Sequence, residues 1–300
     1  MLDIALLYTI CASTFTLAKL SLLCARPIFG IAIRFLVAGA IFLPVAALWR
    51  GWRRIKRSDW GAFIQVALIG WYGAYVCDLW SLQYITSTES SLIFSLSPFA
   101  SALFSYLWFT ERMTPAKWLG LLVGLSSVPL LLCMGNFGCA TSASFSGLRV
   151  LPILVTCSAV ACGAYGWIVV RELVKNRGYP PLLVNAVTMP IAGACALVTS
   201  LLFETTPLVY TGQYANFALV TLLNVAVCSG FFSTMYGWLL KKYTATLLSF
   251  AGCLTPAITA FFGWLLLGEH VSLGIIWATL LVIMGLFIFY REELRQGYVG

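Results

Sequence analysis

Apolar residues run along this chain in blocks, not in alternation. Ten blocks, at roughly 3–23, 28–49, 59–80, 88–109, 116–134, 149–170, 181–203, 216–238, 244–267 and 271–290, carry few charges. Each is near the roughly 20 apolar residues that take a helix across a bilayer. The alternation over about 10 residues that marks a membrane β-barrel strand is absent. Helices are the expected solution, because each satisfies its own backbone hydrogen bonds in lipid. The pattern predicts an all-α polytopic membrane protein with ten transmembrane helices.

Composition agrees. Of 300 residues, 61% are hydrophobic and 9% charged, against about 25% charged in a soluble domain. Connections are short, the longest being "GNFGCATSASFSG" (135–147) and "ETTPLVYTGQYAN" (204–216), so no soluble domain is expected between the helices. The N-terminal "MLDIALLYTICASTF" lacks a positive n-region and an A-x-A-like cleavage site. It reads as the first helix and not as a signal peptide.

The net charge of +8 would suit a nucleic-acid partner, but its distribution argues for a lipid bilayer instead. Arg50, Arg53, Arg54, Lys56 and Arg57 follow the second block, and Arg112 and Lys117 the fourth. Arg171, Lys175 and Arg177 follow the sixth, Lys241 and Lys242 the eighth, Arg291 and Arg295 the tenth. That places 14 of the 18 basic residues on one side, which the positive-inside rule makes cytoplasmic. The expected location is the cell inner (cytoplasmic) membrane, with both termini cytoplasmic.

Ten cysteines lie scattered with no CxxC pair, and the single histidine is His270. Neither a zinc framework nor a bound metal or cofactor is expected, and most thiols read as small packing residues. Cys133 lies just before the 135–148 loop and Cys139 within it, near enough in sequence to pair.

A shift of 158 residues lays "TSTESSLIFSLSPFASALFSYLWFTE" (86–111) on "TATLLSFAGCLTPAITAFFGWLLLGE" (244–269). Leu96-Ser97-Pro98 meets Leu254-Thr255-Pro256, and Glu111 meets Glu269. Five helices per half is an odd number, so the second copy is expected upside down, as in transporters built from inverted repeats. The expected division is 1–134, a first five-helix repeat; 135–148, an outward loop; and 149–300, a second five-helix repeat.

At these residues the chain resembles the drug/metabolite transporter superfamily, in its EamA-like ten-helix branch. "CASTFTLAK" (11–19) is similar to the family's first-helix pattern, with Cys11-Ala12 in place of its Trp-Gly, and "AIRFLVAGAIFLP" (32–44) to its second. "LSPFASALFSYLWFTERMTPAKWLG" (96–120) and "LTPAITAFFGWLLLGEHVS" (254–272) both resemble its Leu-Ser/Thr-Pro…Gly-Glu signature, Thr110 replacing the first Gly. The resemblance implies alternating-access transport of a small metabolite. The chain also resembles, more distantly, the S-adenosylmethionine/S-adenosylhomocysteine exchangers of that superfamily.

The repeat sorts structural from functional candidates. Recurring Glu111 and Glu269 read as structural, capping the following helix through a Glu-x-x-Ser/Thr turn. Recurring Pro98 and Pro256 read as shared bends or gating hinges. Arg34, in the family-like second-helix pattern, reads as architectural.

Asp78 and Glu89 do not recur, their register partners being Tyr236 and Leu247. Intramembrane acids usually face a cavity or a partner, so these two are candidate ligand contacts, with structural ion pairs as the alternative. Lys19 joins them as a candidate base. Trp71, Tyr75 and Asp78 share a stripe at i, i+4 and i+7, where rings beside a carboxylate suit a cation; an interfacial aromatic belt is the other reading. Phe232 and Tyr236 occupy the analogous place in the second half, and Tyr165 and Trp167 in "CGAYGWIVV" (162–170) add rings. Thr14, Ser95 and Asn224 offer neutral hydrogen bonds.

Acids, a base and stacked rings suit an aromatic zwitterion, and S-adenosylmethionine exchanged for S-adenosylhomocysteine fits that description. The alternative is an amino-acid or drug exporter, with proton coupling through Glu89 or Asp78. Nucleotide-sugar carriage would need more cavity-facing Lys or Arg. An enzyme is not expected, since no His-x4-Asp or Gly-x-Ser-x-Gly constellation is present.

Overall fold

The computed structural model describes residues 2–48, 54–109, 114–127, 130, 150–242, 252, 255–268 and 273–295. Eleven helices organise them: α1 (Leu2–Leu22), α2 (Pro27–Leu48), α3 (Arg57–Ser81), α4 (Ser87–Phe94), α5 (Ser97–Phe109), α6 (Pro115–Leu125), α7 (Val150–Asn176), α8 (Pro181–Phe203), α9 (Tyr214–Leu239), α10 (Thr255–Leu267) and α11 (Leu273–Arg295). Among the described residues the strand-like pairing is one isolated bridge, Ala25 to Val209. Five of these helices, α2, α3, α7, α8 and α9, are long and apolar enough to cross a membrane, and shorter apolar helices occupy Leu6–Leu22, Pro115–Leu125, Ile258–Leu267 and Leu273–Ile288.

The fourth block departs from the single helix expected over 88–109. It is broken at Ser95–Leu96 into α4 and α5. Pro98 is the cause: its ring collides with the carbonyl four residues back, on Phe94, where α4 ends. As the second residue of α5, Pro98 falls where a helix has no use for the missing N–H. The Ser95 hydroxyl donates to the Ser91 carbonyl at 3.1 Å, covering one end of the break. Pro256 is likewise the second residue of α10.

Two long helices contain a wide turn at the same relative place. Val66–Gly73 in α3 and Val225–Phe232 in α9 are π-helical. Each has a glycine facing the carbonyl five residues back, where a side chain would be a tight fit. A Cβ on Gly73 would lie 3.3 Å from the Leu68 oxygen, and one on Gly230 would lie 3.2 Å from the Val225 oxygen.

The chain forms two compact units, each drawing on both halves of the sequence. Unit 1 holds Met1–Thr16, Tyr84–Ala161 and Tyr243–Gly300. Its core gathers Leu92, Phe99, Leu121, Ile275 and Val282. There α6 and α11 meet backbone to backbone, a Cβ on Gly285 falling 2.6 Å from the Gly120 oxygen. Thr114 caps α6, its hydroxyl accepting from the Lys117 amide at 3.4 Å. Lys117, grouped with the loop charges by sequence, lies buried in the first turn of α6.

Unit 2 holds Leu17–Gln83 and Cys162–Lys242. Its α2 and α8 touch through small residues: a Cβ on Gly39 would lie 2.1 Å from Pro190 Cγ, and one on Gly193 would lie 3.0 Å from the Leu36 amide. At the start of α3, Asp59 accepts from Arg177 at 2.7 Å and from the Tyr179 hydroxyl at 2.6 Å. Gly178, at φ 72°, makes the left-handed turn that ends α7 and delivers Tyr179 to Asp59. The remaining structural candidates, Glu111 and Glu269, lie outside the described residues, as do Cys133, Cys139 and His270.

Candidate functional site

The candidate site is built within unit 2, where α3, α7 and α9 bring five aromatic rings into contact. Trp71 and Tyr75 on α3 have centroids 6.0 Å apart. Trp71 meets Trp167 of α7 edge-on at 5.3 Å. Trp167 in turn meets Tyr236 at 4.4 Å and Phe232 at 6.3 Å, both on α9. The cluster depends on a close helix crossing, because a Cβ on Gly70 would lie 2.8 Å from the Gly166 Cα. Glycine on both helices lets the backbones touch, and the rings beside them fall within reach of each other.

Trp71 is fixed by more than packing. Its indole N–H donates to Thr188 Oγ1 at 2.8 Å, and the Thr188 hydroxyl donates to the Val184 carbonyl at 2.7 Å. Thr188→Val keeps the shape but leaves a buried N–H unpartnered, at a cost of about 1–3 kcal/mol. The expected outcome is a lower melting temperature of the detergent-purified protein. An unchanged melting curve would show that the bond contributes nothing.

Two opposite charges adjoin the rings. Arg34 on α2 is 6% exposed, and its guanidinium carbon sits 4.8 Å from the Tyr75 ring centroid and 5.4 Å from that of Phe35. Its Nε donates to Ser229 Oγ at 3.3 Å, whereas its Nη2 is buried without a hydrogen-bond partner. Asp78 lies less than one turn beyond Tyr75 on α3 and is 6% exposed. The arrangement sets a cation and an anion beside a cluster of rings, the set of groups that suits a zwitterion carrying an aromatic group.

Of the residues expected from sequence, Trp71, Tyr75, Phe232 and Tyr236 are thus brought together, with Asp78 next to Tyr75. Lys19 is half-buried in α1, in the part of that helix belonging to unit 2. Tyr165 donates to Gln65 at 3.2 Å. Asn224 has its amide committed to backbone, donating to the Val220 carbonyl at 3.0 Å and the Leu17 carbonyl at 3.3 Å. Arg34, read as architectural, stands against Tyr75. Trp167, read from sequence beside Tyr165, joins the cluster. Thr188 and Ser229 were not singled out; the two hydroxyls carry no local signal, because their partners are distant in sequence.

Thr14, Ser95 and Glu89 belong to unit 1. The Thr14 hydroxyl donates to the Cys11 carbonyl at 2.7 Å. Glu89 closes a capping box at the start of α4: its Oε2 accepts from the Thr86 amide at 2.8 Å, while the Glu89 amide donates to Thr86 Oγ1 at 3.1 Å. A buried carboxylate at a helix N-terminus is stabilised by those donors and by the helix dipole.

An apolar cavity of about 710 Å³ opens elsewhere in unit 2, lined by Phe42, Leu183, Ala226, Phe231, Met235 and Trp238 among others. It carries no charge that would recognise a polar solute. Among the described residues no cluster of three or more His, Cys, Asp or Glu side chains forms a metal site.

With this geometry in view, comparison with known proteins decides the family. The sequence profile of the EamA-like transporter family matches residues 2–133 and again 150–291. The chain belongs to the EamA-like transporter family. Its relatives include the S-adenosylmethionine/S-adenosylhomocysteine transporter of Chlamydia trachomatis serovar L2, 32% identical over 96% of this chain and 88% of that protein. The same-named transporter of Chlamydia muridarum is 31% identical over 96% and 90%. An uncharacterized transporter of Bacillus subtilis is 24% identical over 87% and 86%. A crystal structure sharing 18% identity superposes on this EamA-like chain with a TM-score of 0.67, over 98% of this chain and 96% of that one; the likeness is one of fold. As an EamA-like protein with several apolar helices, the chain is a membrane transporter.

Proposed function

We propose that this EamA-like transporter exchanges S-adenosylmethionine for S-adenosylhomocysteine by alternating access. The observation that carries the reading is the ring cluster of unit 2 flanked by Asp78 and Arg34. An adenine stacks on Trp167 and its neighbours, and the sulfonium or ammonium turns to Asp78. The names of the chlamydial relatives support the choice of solute. In this reading the chain has ten spans as two inverted five-helix repeats, divided at 135–148, and lies in the inner membrane with both termini cytoplasmic. Pro98 and Pro256 mark the places where helices give way during gating. The two family matches, the alternating basic loops and the broken helix at Ser95–Leu96 support it.

The test is uptake of labelled S-adenosylmethionine into proteoliposomes, with and without S-adenosylhomocysteine inside. Saturable uptake accelerated by the preload is expected. Asp78→Asn should lower that uptake by about tenfold or more, the loss expected for one charge-assisted contact, at unchanged membrane abundance. Wild-type rates in Asp78→Asn would remove it from the site. The second reading, a proton-coupled amino-acid or drug exporter, is favoured by the burial of Asp78; transport driven by a pH gradient with no preload effect would select it.

A further inference from the structure

Arg34 is an unusual group to find deep in an apolar helix. A guanidinium carries five N–H donors and no acceptor, and at membrane depth an unsatisfied donor is expensive. The structure satisfies Arg34 only in part. Its Nε is held by Ser229, one face lies on Tyr75 with Phe35 beside it, and the buried Nη2 has no hydrogen-bond partner. None of the ion pairs among the described residues involves it. A structural arginine would have its whole fork engaged. This one is oriented by Ser229 and Tyr75, with one terminal nitrogen left over.

We propose that Arg34 is the carboxylate-binding residue of the transporter, taking the α-carboxylate of an amino-acid-bearing solute on Nη2. The proposal rests on the reading of the unit 2 cluster as the solute site, and it moves the anion contact from Lys19, where sequence placed it, to Arg34. Two features select a carboxylate on a zwitterion over a simple anion. With Nε tied to Ser229, the fork keeps one terminal nitrogen without a partner, which suits a carboxylate better than a phosphate that needs several cations. Asp78, less than one turn past Tyr75, balances the charge of Arg34. A lone anion gains one contact and meets one repulsion. A solute with both charges, a carboxylate at Arg34 and a cation toward Asp78, is favoured at both ends.

The discriminating pair is S-adenosylmethionine and its decarboxylated form, which share the adenosine, the sulfonium and the amine. Binding of each is measured by tryptophan fluorescence of the purified full-length protein. Wild type should prefer S-adenosylmethionine by about 10- to 100-fold, the range for a charged hydrogen bond. Arg34→Gln should bind both forms with equal, weak affinity. Arg34→Lys, which keeps the charge but not the fork, should retain part of the preference. Ser229→Ala tests orientation without touching the charge and should reduce the preference severalfold while leaving affinity for the decarboxylated form unchanged. If Arg34→Gln does not fold, Arg34→Lys and Ser229→Ala still decide.

A wild type that binds both forms equally, or an Arg34→Gln or Ser229→Ala variant that keeps full preference, overturns the assignment while the transporter reading stands. A wild type that binds neither form overturns both. Protection by chloride alone, with no effect of the carboxylate, assigns Arg34 to an inorganic anion and also overturns it.

Discussion

Gly166→Leu should yield no monodisperse protein. A Cβ at Gly166 would lie 2.4 Å from the Cα of Gly70, and the reciprocal distance is 2.8 Å. Both obstacles are backbone, so no side chain can swing aside, and even alanine forces α3 and α7 apart. Overpacking of this kind costs about 1–3 kcal/mol when flexible side chains absorb it. Here a whole helix must shift, and the contacts of Trp71 with Trp167 and of Trp167 with Tyr236 shift with it. Size-exclusion of a fluorescent fusion would show the loss as aggregate. Gly30→Ala is the control, since a Cβ there meets nothing within 4 Å and should behave as wild type. A normal elution profile for Gly166→Leu would mean that the crossing is looser than drawn.

Glu204→Ala should destabilise the protein measurably at a site far from the ring cluster in sequence. The amides of Ile28 and Phe29, at the start of α2, donate to its two carboxylate oxygens at 2.8 Å each, and the Ser200 hydroxyl donates to one of them at 2.6 Å. A side chain at the end of α8 therefore caps α2, where a negative charge is favoured by the helix dipole. Loss of a comparable cap costs about 0.5–2 kcal/mol, and the second orphaned amide adds to it. The effect should appear as a lowered melting temperature and as faster hydrogen exchange at the first turn of α2. Glu204→Gln retains one acceptor and should fall between. Equal stability of all three proteins would show that solvent replaces the carboxylate without penalty.

Periodicity and composition carried much of the architecture. The long apolar helices lie where the blocks of the sequence put them, and the stripe of Trp71, Tyr75 and Asp78 does place two rings in contact. Glu89 shows how a correct observation led away from a local cause. Its failure to recur at Leu247 suggested a ligand contact, yet Thr86-Ser-Thr-Glu89 spells the capping box that the structure displays. A pattern four residues long was legible; comparison between the halves masked it. Arg34 is the opposite case. Its neighbours within α2 are apolar apart from the chain itself, and Ser229 lies 195 positions away. Nothing short of the folded unit could reveal which of its nitrogens is occupied. The wide turns in α3 and α9 were equally hidden, because a π segment shares its composition with the α-helix on either side.

The way each compact unit is assembled has a consequence for biogenesis. Gly39 on α2 is shaped to receive Pro190 on α8, and Trp71 on α3 waits for Thr188. While the first half of the chain leaves the ribosome, those partners do not yet exist. The early helices must therefore reside in lipid with their small-residue faces and an indole donor unmatched until the seventh block is synthesised. The same holds for α6, whose partner α11 is made near the end. Neither unit can mature as a nascent domain, so the last helices to be translated complete the packing of the first.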